Sequence, residues 1–317
     1  MGTDRTPKVS YEAYFRTAGT EIDHSKPDES RATEHLRALR QVATDNGASP
    51  QRFDDQLQQI GWAAADAEPH DGPFPLLIFA PGRGAPAFQN TVLCEYLASH
   101  GFVVAATPSF GPGARSMPAT VAGIEAQVAD LAFVARLLEG APNVDAGRLG
   151  LIGYSLGGTA VLVHAMRNEH IGAVAALDSN MMVKTGHQLA RQVPGYAPQA
   201  IRSPTMLMIA NGREWAERDT SFYDEVQGAD AWMLRFNDFL HGDFASTIIR
   251  FILETRPDDI DRDIDRIRLG YALMCRYLAN FFASALDVGD GSRSLIPALD
   301  GASDGIMTIE HRARSTR

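Results

Sequence analysis

Residues 149–158 read Leu-Gly-Leu-Ile-Gly-Tyr-Ser-Leu-Gly-Gly. Within them Gly153, Ser155 and Gly157 form the pattern G-x-S-x-G. An apolar run leads into the serine, and a small-residue helical run, Gly158–Met166, follows it. That context is a strand turning sharply into a helix, with Ser155 at the apex. Side chains two residues away on either side would collide there, which accounts for the glycines at 153 and 157. A serine so placed can attack an acyl carbonyl. The start of the next helix offers backbone N–H groups to the negative charge that develops.

A hydroxyl is a weak nucleophile at neutral pH and needs a base beside it. Of nine histidines, His241 has the right place in chain order, in Phe239-Leu240-His241-Gly242-Asp243-Phe244 directly after the strand-like run Ala231–Phe236. Sites of this kind take their base from the loop after the last strand. His187 is the runner-up but precedes the last two strands, and His164 reads as a packed residue of the helix after the serine. The base needs a carboxylate to accept its other N–H and to stabilise the imidazolium. Asp178 ends the run Ala173–Leu177, at the strand edge where α/β sites assemble. Glu214, in the loop after the following strand, is the alternative acid, and Asp219 a weaker third. A further strand-like run, Pro75–Ala80, enters Pro81-Gly82-Arg83-Gly84-Ala85-Pro86. The backbone amides of Arg83 and Leu156 are the expected oxyanion donors, with Gly82 and Gly84 letting the chain approach a substrate closely. The Arg83 side chain itself reads as solvated surface.

These residues need a scaffold. Short apolar runs, Pro75–Ala80, Phe102–Ala106, Leu149–Gly153, Ala173–Leu177, Thr205–Ile209 and Ala231–Phe236, alternate with helical patterns. That alternation is the mark of a parallel sheet covered by helices. The helical spans are Phe88–His100, Val121–Leu138 and Ile260–Leu286. The second carries Val121, Ile124, Val128, Leu131 and Leu138 on one stripe, and the third carries Ile264, Ile267, Tyr271, Met274, Leu278 and Phe281. A helix beginning near Asp243 is expected to follow His241. Residues 1–61 read as an N-terminal helical extension: Glu29–Asn46 with Gly47 as its stop, then a helix capped by Ser49 with Pro50 at its first position and closed by Gly61. This pair either caps the active site or buttresses the sheet. Residues 62–286 form the core, and the tail 287–317 reads as irregular.

With those elements the chain is identified as an α/β-hydrolase fold, a mostly parallel central sheet with helices on both faces. It resembles the platelet-activating factor acetylhydrolase family, in particular bacterial members described as dienelactone-hydrolase-like. The resemblance rests on Phe79-Ala80-Pro81-Gly82-Arg83-Gly84, Gly153-Tyr154-Ser155-Leu156-Gly157-Gly158, Ala176-Leu177-Asp178, and His241 with Phe244. It implies a serine hydrolase acting on a carboxylic ester, with a short acyl group such as the acetyl of a phospholipid. It also favours Asp178 over Glu214, because that family takes its acid directly after the strand that follows the nucleophile helix. The family often has His where Pro81 and Tyr154 stand here, and true dienelactone hydrolases use a cysteine nucleophile, so Ser155 argues against that activity. An amidase or peptidase on the same triad and a non-catalytic binding module on the same scaffold are the rival readings.

The bulk properties agree with a small-molecule enzyme. The net charge of −10 disfavours nucleic acid and anionic membranes as partners. No apolar run approaches the roughly 18 residues a transmembrane helix needs. The polar start, Met1 to Lys8, lacks a signal-peptide core, so the chain reads as cytoplasmic if complete and exported if a leader has been removed. The two cysteines, Cys94 and Cys275, show no zinc-binding spacing. No metal or organic cofactor is expected. The cysteines fall on helices expected to share one face of the sheet, where unpaired thiols behave as small apolar groups. Oligomeric state is left open.

Overall fold

The computed structural model describes residues 8–10, 40–41, 43–45, 47–64, 67–109, 117–211, 217–253, 262–288 and 305–315. Two short strands, β1 (Lys8–Ser10) and β2 (Ile60–Ala64), pair antiparallel at the margin. The remaining seven form the central sheet: β3 (Phe74–Ala80), β4 (Val103–Ala106), β5 (Val144–Tyr154), β6 (Ile171–Leu177), β7 (Thr205–Ala210), β8 (Ala231–Phe236) and β9 (Met307–Arg312). Their order is β4-β3-β5-β6-β7-β8-β9, parallel throughout except for β9, which runs antiparallel to β8.

The alternation of side chains along each strand divides the core in two. Leu77 and Phe79 of β3, with Ile152 and Tyr154 of β5, face one layer; Leu76, Ile78 and Ala80, with Leu151, face the other. The first layer is closed by the helices Thr91–Ala98 and Ile264–Ala285, the second by Val121–Leu138 and Leu156–Arg167. Strands buried on both faces need continuous apolar sequence, and β3, β6 and β7 are that: every residue from Pro75 to Ala80 and from Thr205 to Ala210 is buried. The helix Val121–Leu138 has the limits its periodicity predicts. Thr120 caps its N-terminus by accepting from the Gly123 N–H at 3.2 Å.

Four expectations for the core and the tail are corrected by tertiary contacts. The span Phe88–His100 is not one helix: a 3₁₀ turn, Ala87–Asn90, precedes Thr91–Ala98. Asn90 breaks the helix because its buried amide is engaged elsewhere. It donates to the Phe244 carbonyl (2.8 Å) and accepts from Ser246 N–H (2.9 Å) and the Tyr271 hydroxyl (2.7 Å). The segment after His241 is likewise a 3₁₀ turn, His241–Phe244, followed by one short turn and a π-helix, Ile249–Leu253. The tail expected to be irregular contains β9, whose Met307 packs in the core and whose Glu310 pairs with Arg235. A single period-2 strand ending a polar tail carries too weak a signal to be seen alone. The last helix begins at Ile264, not Ile260, because Asp263 caps it by accepting from Arg266 N–H at 3.0 Å.

In the N-terminal extension, Ser49 caps and Pro50 opens the helix Pro50–Leu57, as its sequence predicts. That helix ends before Gly61, which lies in β2. Most of the expected helix Glu29–Asn46 lies outside the described residues; positions 40–41 and 43–45 are helical. The described part forms a small third cluster. Ala43, Ala48, Phe53 and Leu57 pack on Phe88 and Phe251, with the Phe53 and Phe251 rings 5.3 Å apart. Among the described residues no helix is long and apolar enough to cross a membrane.

Cys94 and Cys275 stand on the two helices of the first layer, and both are free thiols. Burial, reinforced by the neighbouring Glu95 charge, pushes the Cys94 thiol up to about 12. Burial and then the nearby Cys94 push Cys275 up as well. Only the thiolate reacts, so at pH 8 a thiol of this kind is about 10⁻⁴ ionised. We expect a disulfide-exchange reagent to modify native protein orders of magnitude more slowly than free cysteine. Two thiols should titrate once the unreduced chain is denatured; recovery of none would show a bond.

Candidate active site

The strand β5 ends at Tyr154 and the helix Leu156–Arg167 starts one residue later, leaving Ser155 to make the whole turn. Its backbone is left-handed, φ 56° and ψ −119°, a conformation that a residue with a Cβ rarely adopts. The turn leaves no room on either side. A Cβ at Gly153 would lie 2.3 Å from the Gly157 carbonyl oxygen, and one at Gly157 would lie 2.1 Å from the Ala80 carbonyl oxygen. The strain is held by hydrogen bonds: Ser155 N–H donates to Leu177 O (2.9 Å), and Ser155 O accepts from Asn180 N–H (3.2 Å).

Asp178 follows β6 directly, also with positive φ (39°), and its N–H donates to Met208 O on β7 (2.7 Å). This turn aims the carboxylate along the sheet edge toward the loop after β8. There His241 Nδ1 lies 2.6 Å from Asp178 Oδ2, and His241 Nε2 lies 3.1 Å from Ser155 Oγ. The other carboxylate oxygen, Oδ1, accepts from Ala210 N–H (3.0 Å) and from an Arg218 guanidinium N–H (2.7 Å). Burial works to raise the Asp178 carboxyl. The hydrogen bond and charge of His241, joined by Arg218, outweigh it and hold the carboxyl below its ordinary value. An ionised carboxylate can only accept, so Nδ1 carries the ring proton and Nε2 is left to accept from the Ser155 hydroxyl. Exposure rises along the chain from 3% at the Asp178 side chain to 25% at His241. The charge is kept dry while the base stays reachable.

The imidazole is fixed from its other side. The Tyr154 ring stacks on it at 5.0 Å, and the Tyr154 hydroxyl donates to the His241 carbonyl at 3.0 Å. Asp243, two residues on, accepts from Leu240 N–H (2.7 Å) and is paired with Arg262. Asn180 adds a contact of a different kind. Its Oδ1 stands 3.2 Å from Ser155 Oγ, so the single hydroxyl proton has two alternative acceptors.

The loop after β3 passes close to the serine. A Cβ at Gly82 would meet the Tyr154 ring at 3.2 Å and the Ser155 Cβ at 3.4 Å. Gln89 accepts from Gly82 N–H (2.7 Å), and Gln127 donates to Pro81 O (2.8 Å), so the loop is tied at two consecutive residues. Arg83 is exposed, and Leu156 is the first residue of its helix. The first four amides of a helix have no partner within it.

The structure therefore brings Ser155, Asp178 and His241 into one hydrogen-bonded line. It separates the other candidates from them. His187 is buried, with Nδ1 3.0 Å from Asp219 Oδ2 and Nε2 2.7 Å from the Tyr196 hydroxyl. That pairing takes Asp219 away from the site. His164 is buried in the helix and desolvated, which lowers its pKa, with Arg167 adding to the effect. Glu214 lies outside the described residues. Arg218, Asn180, Gln89, Asn90 and the Tyr154 hydroxyl were not found by sequence reasoning. Each acts through a long-range contact, and none stands at a motif position that names it.

The two glycines give a direct check on the turn. Gly157→Ala places a methyl against backbone that cannot yield, so it should cost at least about 2 kcal/mol of stability and remove activity. A thermal melt and an activity assay on the same preparation read both. An active Gly157→Ala variant of unchanged stability would mean that the turn is looser than described.

Among solved structures, one similar to this chain is a ferulic acid esterase from Streptomyces cinnamoneus. It is 24% identical, covers 78% of this chain and 76% of its own, and has a TM-score of 0.59. At that identity the likeness concerns the fold. No curated protein sequence matches the chain. A family model described as the alpha/beta hydrolase family matches residues 77–295. That span runs from β3 through the serine turn and past the last helix of the core, well over half of the sequence, and on this ground the chain belongs to the alpha/beta hydrolase family.

Proposed function

We propose that the protein is a serine esterase that cleaves a carboxylic ester through an acyl-enzyme. The observation that carries this reading is the continuous line Ser155 Oγ, His241 Nε2 (3.1 Å), His241 Nδ1, Asp178 Oδ2 (2.6 Å). His241 takes the Ser155 proton as Oγ attacks the ester carbonyl. The amides of Arg83 and Leu156 receive the oxyanion, and the imidazolium, stabilised by Asp178, gives its proton to the leaving alcohol. Water, deprotonated by the same imidazole, then releases the acid. None of these steps asks for a cofactor.

The place of Asp178, directly after the strand that follows the serine helix, supports a relation to platelet-activating factor acetylhydrolase-like esterases. A short acyl group is the substrate feature we infer from that relation. The solved neighbour acts on a ferulic acid ester, so a hydroxycinnamoyl ester belongs beside the acetyl and longer acyl esters in the first panel. A matched amide series tests the amidase reading on the same site.

Two variants test the assignment. Ser155→Ala should lower kcat by at least about 10⁴-fold and abolish labelling by a fluorophosphonate, with the fold unchanged. Retention of more than a few per cent of activity would remove Ser155 from the role. Asp178→Asn should lose about 10³–10⁴-fold, while Glu214→Gln should stay near wild type. The reverse order would move the acid to the loop after β7.

A further inference from the structure

The acid of a Ser–His–Asp line serves its histidine through one oxygen, which leaves the other free to meet further donors. Here that second oxygen meets a full positive charge. Arg218 donates to Asp178 Oδ1 at 2.7 Å, while Oδ2 serves His241. The guanidinium is not a stray surface group. Its segment bridges to Val183, with Lys184 N–H donating to Glu217 O (2.9 Å) and Asp219 N–H donating to Met182 O (3.0 Å). On the far side Asp219 is fastened to buried His187 (3.0 Å) and to the Ser221 N–H (3.0 Å). Burial opposes ionisation of Asp219, but the hydrogen bonds from Ser221 and His187 prevail and bring it down to about 2. The segment is thus anchored on both sides of Arg218 by contacts that do not involve the substrate.

We propose that Arg218 is a positioning residue of the site: it fixes the Asp178 carboxylate and neutralises part of its charge, and so sets the pH at which His241 becomes a free base. This rests on the reading of Ser155, Asp178 and His241 given above. An isolated carboxylate beside an imidazole favours the imidazolium and raises the pH needed to release the base. A cation on the far oxygen works in the opposite sense. It weakens the pull on the ring proton, and it repels the imidazolium. Among the described residues, Tyr154 of β5 stacks on the ring, and Asp243, in the same turn as His241, has its charge met by Arg262. Asp178 and Arg218 form a charge pair that addresses Nδ1. The arrangement keeps His241 unprotonated, and the enzyme active, further into the acid range than the same site with Asp178 alone.

The sign is testable. The acid limb of kcat/KM reports deprotonation of the base in the free enzyme. Arg218→Gln should move that limb upward by about 0.5–1 pH unit, and Arg218→Lys, which keeps the charge, should leave it within about 0.2 unit while lowering kcat modestly. The His241 ring should show the same shift when titrated by NMR in a Ser155→Ala background, which needs no activity. Arg218→Met, which keeps the packing of the stem, takes the place of the glutamine variant if that one does not fold. A limb and a ring titration unmoved in the neutral variants, or moved equally in the lysine variant, would overturn the proposal and leave the esterase reading standing. An active Ser155→Ala enzyme would instead overturn that reading, with the ring titration still judging Arg218.

Discussion

Ser155 makes a strand-to-helix turn in one residue, with φ 56°, and much of the surrounding structure serves to keep it there. A left-handed, non-glycine backbone costs of order 1–3 kcal/mol and persists only where its surroundings over-determine it. They do so here from three sides. The glycines at 153 and 157 let the strand, the helix and the Ala80–Pro81 backbone close to contact. The Ser155 N–H and carbonyl are both spoken for, by Leu177 and Asn180. The helix that follows, buried from Leu156 to Met166, cannot rotate to relieve the turn without emptying the second core layer. The turn raises the hydroxyl above the sheet edge, where it meets the His241 imidazole.

The His241 imidazole and the Asp178 carboxylate depend on the sheet in a second way. β5, β6 and β7 are adjacent and parallel, so their C-terminal ends lie side by side and the turns that leave them share one edge. Ser155 ends the first, Asp178 the second, and Ala210, whose N–H bonds Asp178, the third. His241 comes from the end of β8, one strand further. Its loop is carried back over the edge by Tyr154, by the Asp243–Arg262 pair, and by the Asn90 amide that ties Phe244 and Ser246 to the turn after β3. Gln89, next to Asn90, holds Gly82. The loop after β3 and the loop that carries His241 are thus fastened to one another through two neighbouring residues.

Charge follows burial. Asp178 is buried and receives Ala210, Arg218 and His241 at once. That donor set is what allows a carboxylate to stay ionised out of water. His187, buried like His164, meets Asp219 and the Ser221 hydroxyl at Nδ1 and the Tyr196 hydroxyl at Nε2. The two clusters are joined by the chain itself, Arg218 serving one and Asp219 the other.

What the sequence by itself determined was whatever depends on local geometry and period. Glycines flanking a serine between an apolar strand and a small-residue helix can satisfy one turn only, and continuous apolar runs have no stable place except a buried parallel sheet. Hence the elbow, six of the seven strands of the central sheet, the limits of Val121–Leu138 and the Ser49 cap were all legible. The place of His241 after β8 followed from chain order; the sequence by itself left Asp178 and Glu214 open as the acid, and only the family resemblance favoured Asp178. Tertiary structure decided the rest, because the groups concerned are fixed by partners far away in sequence. Asn90 interrupts a helix of good propensity since its amide is needed by residues more than 150 positions later. β9 is set by its antiparallel pairing with β8, which lies about 70 residues earlier in the chain. Arg218 is an unremarkable cation in a polar loop until the pairing of residues 182–184 with 217–219 sets it against Asp178. A long-range hydrogen bond leaves no periodic trace in a single sequence, and the electrostatics of this site are built from such bonds.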